Sequence, residues 1–266
     1  LVKSENKLIN LQAMTHLAIT TYLRNQFDES RDLLARSKEI QNINNSILDN
    51  EKKYHIYLSK ILNDESFNNQ ASVYGTNKKL FVIGDSHSLT SHALNINIWG
   101  ETFHCEAFLI KGCKQWHLGN SNRNQYKYQF ESIFSSLPQS SEVLLAIGEI
   151  DCRIGSGILQ HTIKFPEKDI KEITIATVRN YLAYISKNNA QCQHKIVIQG
   201  VPCPNIDTSE HTEESVMQMI EVINVFNREL KAKSKERGFG FLDVYKLTNR
   251  GDGLSNRKWH IDGLHL

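Results

Sequence analysis

From residue 80 onward, short apolar runs alternate with longer stretches in which apolar residues return every third or fourth position. A short continuous apolar run suits a strand buried on both faces, and a 3.6-residue period suits an amphipathic helix. The runs predict strands over 80–83, 103–110, 143–147, 195–199 and 240–244. The periodic stretches predict helices over 89–98, 126–137, 169–186 and 214–237. The last of these carries Val216, Ile220, Ile223, Phe226 and Leu230 on one face and meets Gly238, a residue suited to stopping a helix. Pro138 ends the second, since proline cannot continue one. Five strands separated by helices imply a parallel sheet covered on both faces. With right-handed crossovers this is a three-layer, flavodoxin-like, doubly wound α/β architecture.

Residues 1–75 follow another pattern. They contain one glycine, Gly75, and no proline. Leu8, Leu11, Met14, Leu17, Ala18, Thr21 and Tyr22 recur at helical spacing. Asp28 can cap a second helix presenting Leu33, Leu34, Ser37 and Ile40, and a third stripe runs through Ile47, Tyr54, Tyr57 and Ile61. The expected organisation is an α-helical lead-in over 1–75 followed by an α/β domain over 76–266.

Composition narrows the function classes. The formal charge of +2 comes from 31 basic and 29 acidic residues, which gives no electrostatic footprint for nucleic acid or an anionic membrane. No apolar run approaches the roughly 20 residues needed to span a bilayer. The five cysteines (Cys105, Cys113, Cys152, Cys192 and Cys203) form no Cys-x-x-Cys pair, so free thiols in a reducing, cytoplasmic setting are expected. The eleven histidines show no metal-ligand spacing, and no metal or bound cofactor is expected. The chain begins at Leu1 rather than methionine, as expected of a fragment of a longer protein.

Chemistry concentrates just after the predicted strands, at the edge where open α/β sheets place their ligands. Gly84-Asp85-Ser86-His87 follows the first strand. Gly112-Cys113 and Leu118-Gly119-Asn120 follow the second, Gly148-Glu149-Ile150-Asp151-Cys152-Arg153 the third, and Trp259 to His265 the last. Serine needs a neighbouring base to become a nucleophile. Histidine titrates near neutral pH and can take that proton and return it. Asp262 and His265, three residues apart, can share one turn, with the carboxylate holding the imidazole tautomer.

Gly84-Asp85-Ser86 and Asp262-x-x-His265 resemble the first and last motifs of the SGNH (GDSL) serine esterases and acyltransferases, over residues 80–266. The resemblance implies Ser86 as nucleophile, His265 as base, Asp262 as its acid partner, and the amides of Ser86 and Gly119 in the oxyanion hole. It implies the same sheet architecture that the periodicity predicts. The third motif departs from the family's Gly-x-Asn-Asp: Ile150 stands where the asparagine donor belongs. Arg153, Asn120 and His87 are the substitutes to consider, with Arg153 equally read as an ion-pair partner of Glu149 or Asp151. His87, Asp151, Trp116 and Trp259 are candidates for contact with substrate, tryptophans being suited to stacking on sugar faces. Gly-Asp-Ser-His looks like the version in bacterial polysaccharide O-acetyltransferases. The resemblance thus implies acyl transfer to a glycan hydroxyl, with acetyl-CoA as a donor. A glycan O-acetylesterase and a non-catalytic glycan-binding domain are the alternatives. Met14-x-x-Leu17-Ala18, Phe27-Asp28-Glu29-Ser30, Leu34 and Ser37 resemble one tetratricopeptide repeat, which implies protein contact through the N-terminal helices, a plain helical hairpin being the other reading.

Overall fold

The structure, a computed structural model, describes residues 2–43, 45–71, 76–98 and 100–266. The chain forms two compact units, Leu1–Lys78 with Leu89–Glu106, and Lys79–Ser88 with Ala107–Leu266. The first unit therefore takes in a segment that follows the first strand, beyond the expected boundary at 75/76. Gly75 lies outside the described residues.

The first unit carries helices α1 (Val2–Leu23), α2 (Phe27–Arg36), α3 (Asp49–Asn63) and α4 (Glu65–Ala71), with short 3-10 turns between α2 and α3. Asn25 makes the α1–α2 turn at a left-handed φ of 60°, a conformation asparagine tolerates. Small residues let the two helices approach closely: Ala18 and Ser30 are fully buried, and Ser30 Oγ donates to Ala18 O at 2.8 Å. Leu11, Ile40 and Leu48 pack as a small core. Leu17 and Ile47, both placed on apolar stripes by periodicity, face outward instead, at 53% and 71% exposure.

Six strands form one sheet: β1 (Lys79–Gly84), β2 (Asn95–Ile98), β3 (Glu101–Leu109), β4 (Glu142–Ala146), β5 (Lys195–Gln199) and β6 (Gly240–Leu242). Their order is β2-β3-β1-β4-β5-β6. β1, β4, β5 and β6 pair in parallel. β3 runs alongside β1 in the same sense, since His104 N donates to Lys78 O and Ile110 N to Gly84 O. The one antiparallel strand is β2, with Asn95 opposite His104 and Ile98 opposite Glu101. The architecture is thus mixed α/β with a mostly parallel sheet, and the expectation of five strands falls one short. The helix expected over 89–98 is absent: a 3-10 turn spans Ser86–Ser91, and β2 follows. Asn95-Ile96-Asn97-Ile98 alternates with period two, which pairs with a neighbour better than it winds.

The helices of the second unit are α5 (Gln115–Gly119), α6 (Gln125–Ser136), α7 (Ile158–Lys164), α8 (Ile170–Cys192), α9 (Glu213–Glu236) and α10 (Val244–Thr248). Side chains at Asp169 and Thr212 cap α8 and α9 by accepting from Glu172 N and Ser215 N. Ile83, Leu145 and Ile198 from the strands pack with Phe130, Val178, Tyr181 and Phe226 from α6, α8 and α9 in one buried core. α5, α7 and α10 span only five to seven residues, too short for a 3.6-residue period to announce them. Among the described residues no helix is long and apolar enough to cross a membrane.

Candidate active site

β1 delivers the chain to Ser86 through Gly84. Gly84 does not adopt a left-handed backbone. Its lack of a side chain matters laterally: a β-carbon there would overlap the Ala146 carbonyl oxygen of β4. Asp85 N donates to the same carbonyl, and Ser88 N and Oγ both donate to Asp85 O, at 3.0 and 2.8 Å. This small turn leaves Ser86 7% exposed at the end of β1.

The segment 261–265 closes on that turn. His265 Nε2 lies 2.9 Å from Ser86 Oγ, and His265 Nδ1 lies 2.8 and 3.0 Å from the two Asp262 oxygens. Asp262 Oδ1 also accepts from the backbone amides of Leu264 and His265, each at 2.7 Å. Asn205 Nδ2 donates to Asp262 O at 2.8 Å and Ile261 N to His265 O at 2.8 Å, so the segment is fixed by its backbone as well. Burial favours the neutral acid at Asp262, but the hydrogen bond and charge of His265 and the two amides hold the carboxyl well below the usual carboxylate range. His265 is held below the ordinary histidine value, chiefly by burial, with the Asp262 hydrogen bond opposing and the charge of His87 adding to the decrease. The imidazole is therefore neutral near pH 7, with Nδ1–H on Asp262 and Nε2 open to the serine proton.

His87 does not face outward into a cleft as a substrate contact would. Its backbone N and ring Nδ1 lie 3.0 Å from Asp85 Oδ1, its Nε2 lies 3.1 Å from Leu264 O, and its side chain is 3% exposed. The ring is fully engaged, so it is also no oxyanion donor.

The other expected residues are placed as follows. Asp151 is buried, and both its oxygens accept backbone amides at the start of α5, Gln115 N at 2.7 Å and Trp116 N at 3.1 Å. Burial pushes its carboxyl up to about 7 against the pull of those two donors. It anchors α5 rather than offering itself to substrate. Arg153 grips Glu149, with Nε 2.8 and 2.7 Å from the two carboxylate oxygens. Of the two readings of Arg153, the ion pair is the one present. Asn120 caps α5, donating to Trp116 O and His117 O at 3.2 Å and accepting from Asn122 N, so its amide is spent. Gly119 has a packing reason: a β-carbon there would sit 2.8 Å from Tyr181 N of α8. Its amide lies within the α5 helix. Trp116 and Trp259 are 54% and 57% exposed. Trp116 lines a cavity of about 440 Å³ with Lys114, Asp151, Gln160, His161 and Lys164, and neither Ser86 nor His265 borders it.

No family model matches the chain, and no curated protein matches it in sequence. Among solved structures it is similar to a phospholipase A1 from Streptomyces albidoflavus NA297, with 13% identity and a TM-score of 0.35. That match covers 64% of this chain and 81% of the other.

Two residues of the sheet-edge motifs have surroundings that their place in the sequence does not announce. Gly112 follows β3 at a left-handed φ of 73°, in the turn whose Ile110 N donates to Gly84 O beside Asp85 and Ser86. Its signal was position: it is the first glycine after the second expected strand. The charge of Glu149 pulls His87, His260 and His265 upward, against burial, which still leaves His260 and His265 below the ordinary histidine value. A charge that acts through space leaves no mark in the residue spacing.

Proposed function

We propose that the second unit is a serine-dependent acyl-transfer enzyme of the SGNH type, acting on ester-linked acyl groups. The observation that carries this reading is the hydrogen-bonded relay Ser86 Oγ–His265 Nε2, His265 Nδ1–Asp262. Ser86 Oγ attacks the ester carbonyl carbon while its proton passes to His265 Nε2. The tetrahedral intermediate collapses, the C–O bond to the alcohol breaks, and the leaving oxygen takes the proton from Nε2–H. The acyl-enzyme is then attacked by water or a second hydroxyl, which gives its proton to His265, and Ser86 recovers it as the acyl group leaves.

Negative charge on the carbonyl oxygen requires donors aimed at it. The donors proposed for it are the backbone N–H groups of Ser86 and of Gly112, in the turn after β3 whose Ile110 N donates to Gly84 O. Ile150 supplies no donor, and Arg153 is held by Glu149.

The finer reading is acetyl transfer at a carbohydrate hydroxyl, with acetyl-CoA as a donor for the transferase and water as acceptor for the esterase alternative. The exposed indole of Trp259, six residues before His265, supports a sugar-sized substrate, since an exposed aromatic face suits the apolar face of a pyranose. A fluorophosphonate that reacts with activated serines tests the core of the reading. Wild type is expected to label and Ser86→Ala is expected not to. A folded wild type that stays unlabelled would leave a non-catalytic, glycan-binding unit, the reading that Ile150 favours. Incubation with acetyl-CoA and an unacetylated polysaccharide, compared with acetate release from an acetylated one, separates transferase from esterase.

A further inference from the structure

We propose that His87 is a positioning residue: a buried imidazolium that clamps the peptide unit ahead of His265 and keeps that base in its proton-accepting state. The inference rests on the reading of Ser86 and His265 as nucleophile and base, and goes beyond it in giving the residue after the serine a task.

The charge of His87 follows from its partners. Nδ1 faces an Asp85 carboxylate oxygen at 3.0 Å and Nε2 faces the Leu264 carbonyl oxygen at 3.1 Å. A carbonyl oxygen and an ionised carboxylate both only accept, and a neutral imidazole carries a single N–H. Satisfying both requires a proton on each ring nitrogen. Asp85 is 1% exposed, and an ion buried so deeply calls for an opposite charge beside it. Burial alone pushes His87 down, but the charge and hydrogen bond of Asp85 outweigh it and bring the ring up to about 9, Glu149 adding to this and Arg153 opposing it.

The position of the clamp gives it a task. The Leu264 carbonyl and the His265 N–H belong to one planar peptide unit. His87 holds the carbonyl end, and Asp262 Oδ1 holds the N–H end at 2.7 Å. With both ends tied, the backbone that launches the His265 side chain toward Ser86 Oγ cannot rotate. The charge has a second effect. The His87 and His265 ring centres are 5.2 Å apart, so a cation at 87 opposes protonation at 265. The charged and titratable groups facing His87 are Asp85 from the β1 turn, Glu149 and Arg153 from the turn after β4, and His260 and His265 from the C-terminal segment. His260 stays neutral, pushed down to about 4 by burial and by His87 itself.

Imidazole nitrogen NMR on the whole chain, with the ring assigned through His87→Gln, tests the clamp independently of activity. At about pH 7 His87 is expected to show both nitrogens protonated and to titrate near 9. In His87→Gln the His265 titration is expected to move to higher pH. Fluorophosphonate labelling of that variant is expected to slow by about 10- to 100-fold, and its pH profile to lack the loss of rate expected of wild type above about 9. A His87 ring with one protonated nitrogen at neutral pH overturns the proposal, as does an unshifted His265 titration in a folded His87→Gln. Should that variant not fold, the wild-type titration decides alone. If His87 titrates as expected but wild type takes no label, the clamp stands and the acyl-transfer reading falls.

Discussion

Asp262→Asn is expected to slow acylation of Ser86 by about 10⁴-fold, the scale seen when a serine–histidine pair loses its carboxylate, while the chain still folds. Asp262 Oδ1 already accepts two backbone amides, from Leu264 and His265. An asparagine keeps its carbonyl oxygen on that side, because the amide group there would face two N–H donors. Its NH₂ then stands where Oδ2 now lies, 2.8 Å from His265 Nδ1, and it can only donate. His265 responds by moving its proton to Nε2, which faces Ser86 Oγ and can no longer accept from it. The second-order rate of fluorophosphonate labelling, measured beside a thermal melt, reads the effect. A folded variant that labels within about tenfold of wild type would refute the assignment of Asp262.

Gly84→Ala is expected to destabilise the second unit by about 3 kcal/mol or more and to lower its melting midpoint by about 6–12 °C. The new β-carbon would overlap the Ala146 carbonyl and lie 3.0 Å from the Ala146 β-carbon, on the strand directly paired with β1. Those are backbone-fixed atoms in a buried sheet, so neither can swing aside. The strands must part, and Ser86, two residues on, moves with them away from His265. The labelling rate is therefore expected to fall by about 10²-fold beyond what the stability loss explains. Gly155→Ala is the control: nothing lies within 4 Å of its β-carbon position, and its midpoint is expected to stay where it is. Equal midpoints for the two variants would rule out the steric account.

The strand pattern was legible because burial on both faces leaves a local signature: β5 spans Lys195–Gln199, the stretch its apolar run marks. The serine, histidine and aspartate could be picked out because two short motifs sit at sheet-edge positions, and the fold brings them within hydrogen-bond distance. What could not be read depends on partners distant in sequence. Asp151 serves amides 36 and 35 residues away, and His87 serves a carbonyl 177 residues away. Within 89–98, which reads as helix, pairing of Asn95–Ile98 with β3 selects the strand. Gly112 and Gly119 both follow the second expected strand. Backbone geometry separates them, the one left-handed in a turn and the other pressed against α8.

The buried cysteines give the molecule an internal clock. Cys105 in the first unit and Cys113, Cys152 and Cys203 in the second are at most 2% exposed. Burial pushes the Cys105 thiol up to about 12 and Cys203 to about 11, and raises Cys113 and Cys152 as well. Alkylation requires an accessible thiolate, so the folded chain should react only at the half-buried Cys192. Each further alkyl group on an intact molecule then marks an opening event. Peptide mapping of Cys105 against the other three would time the two units separately, with no probe added.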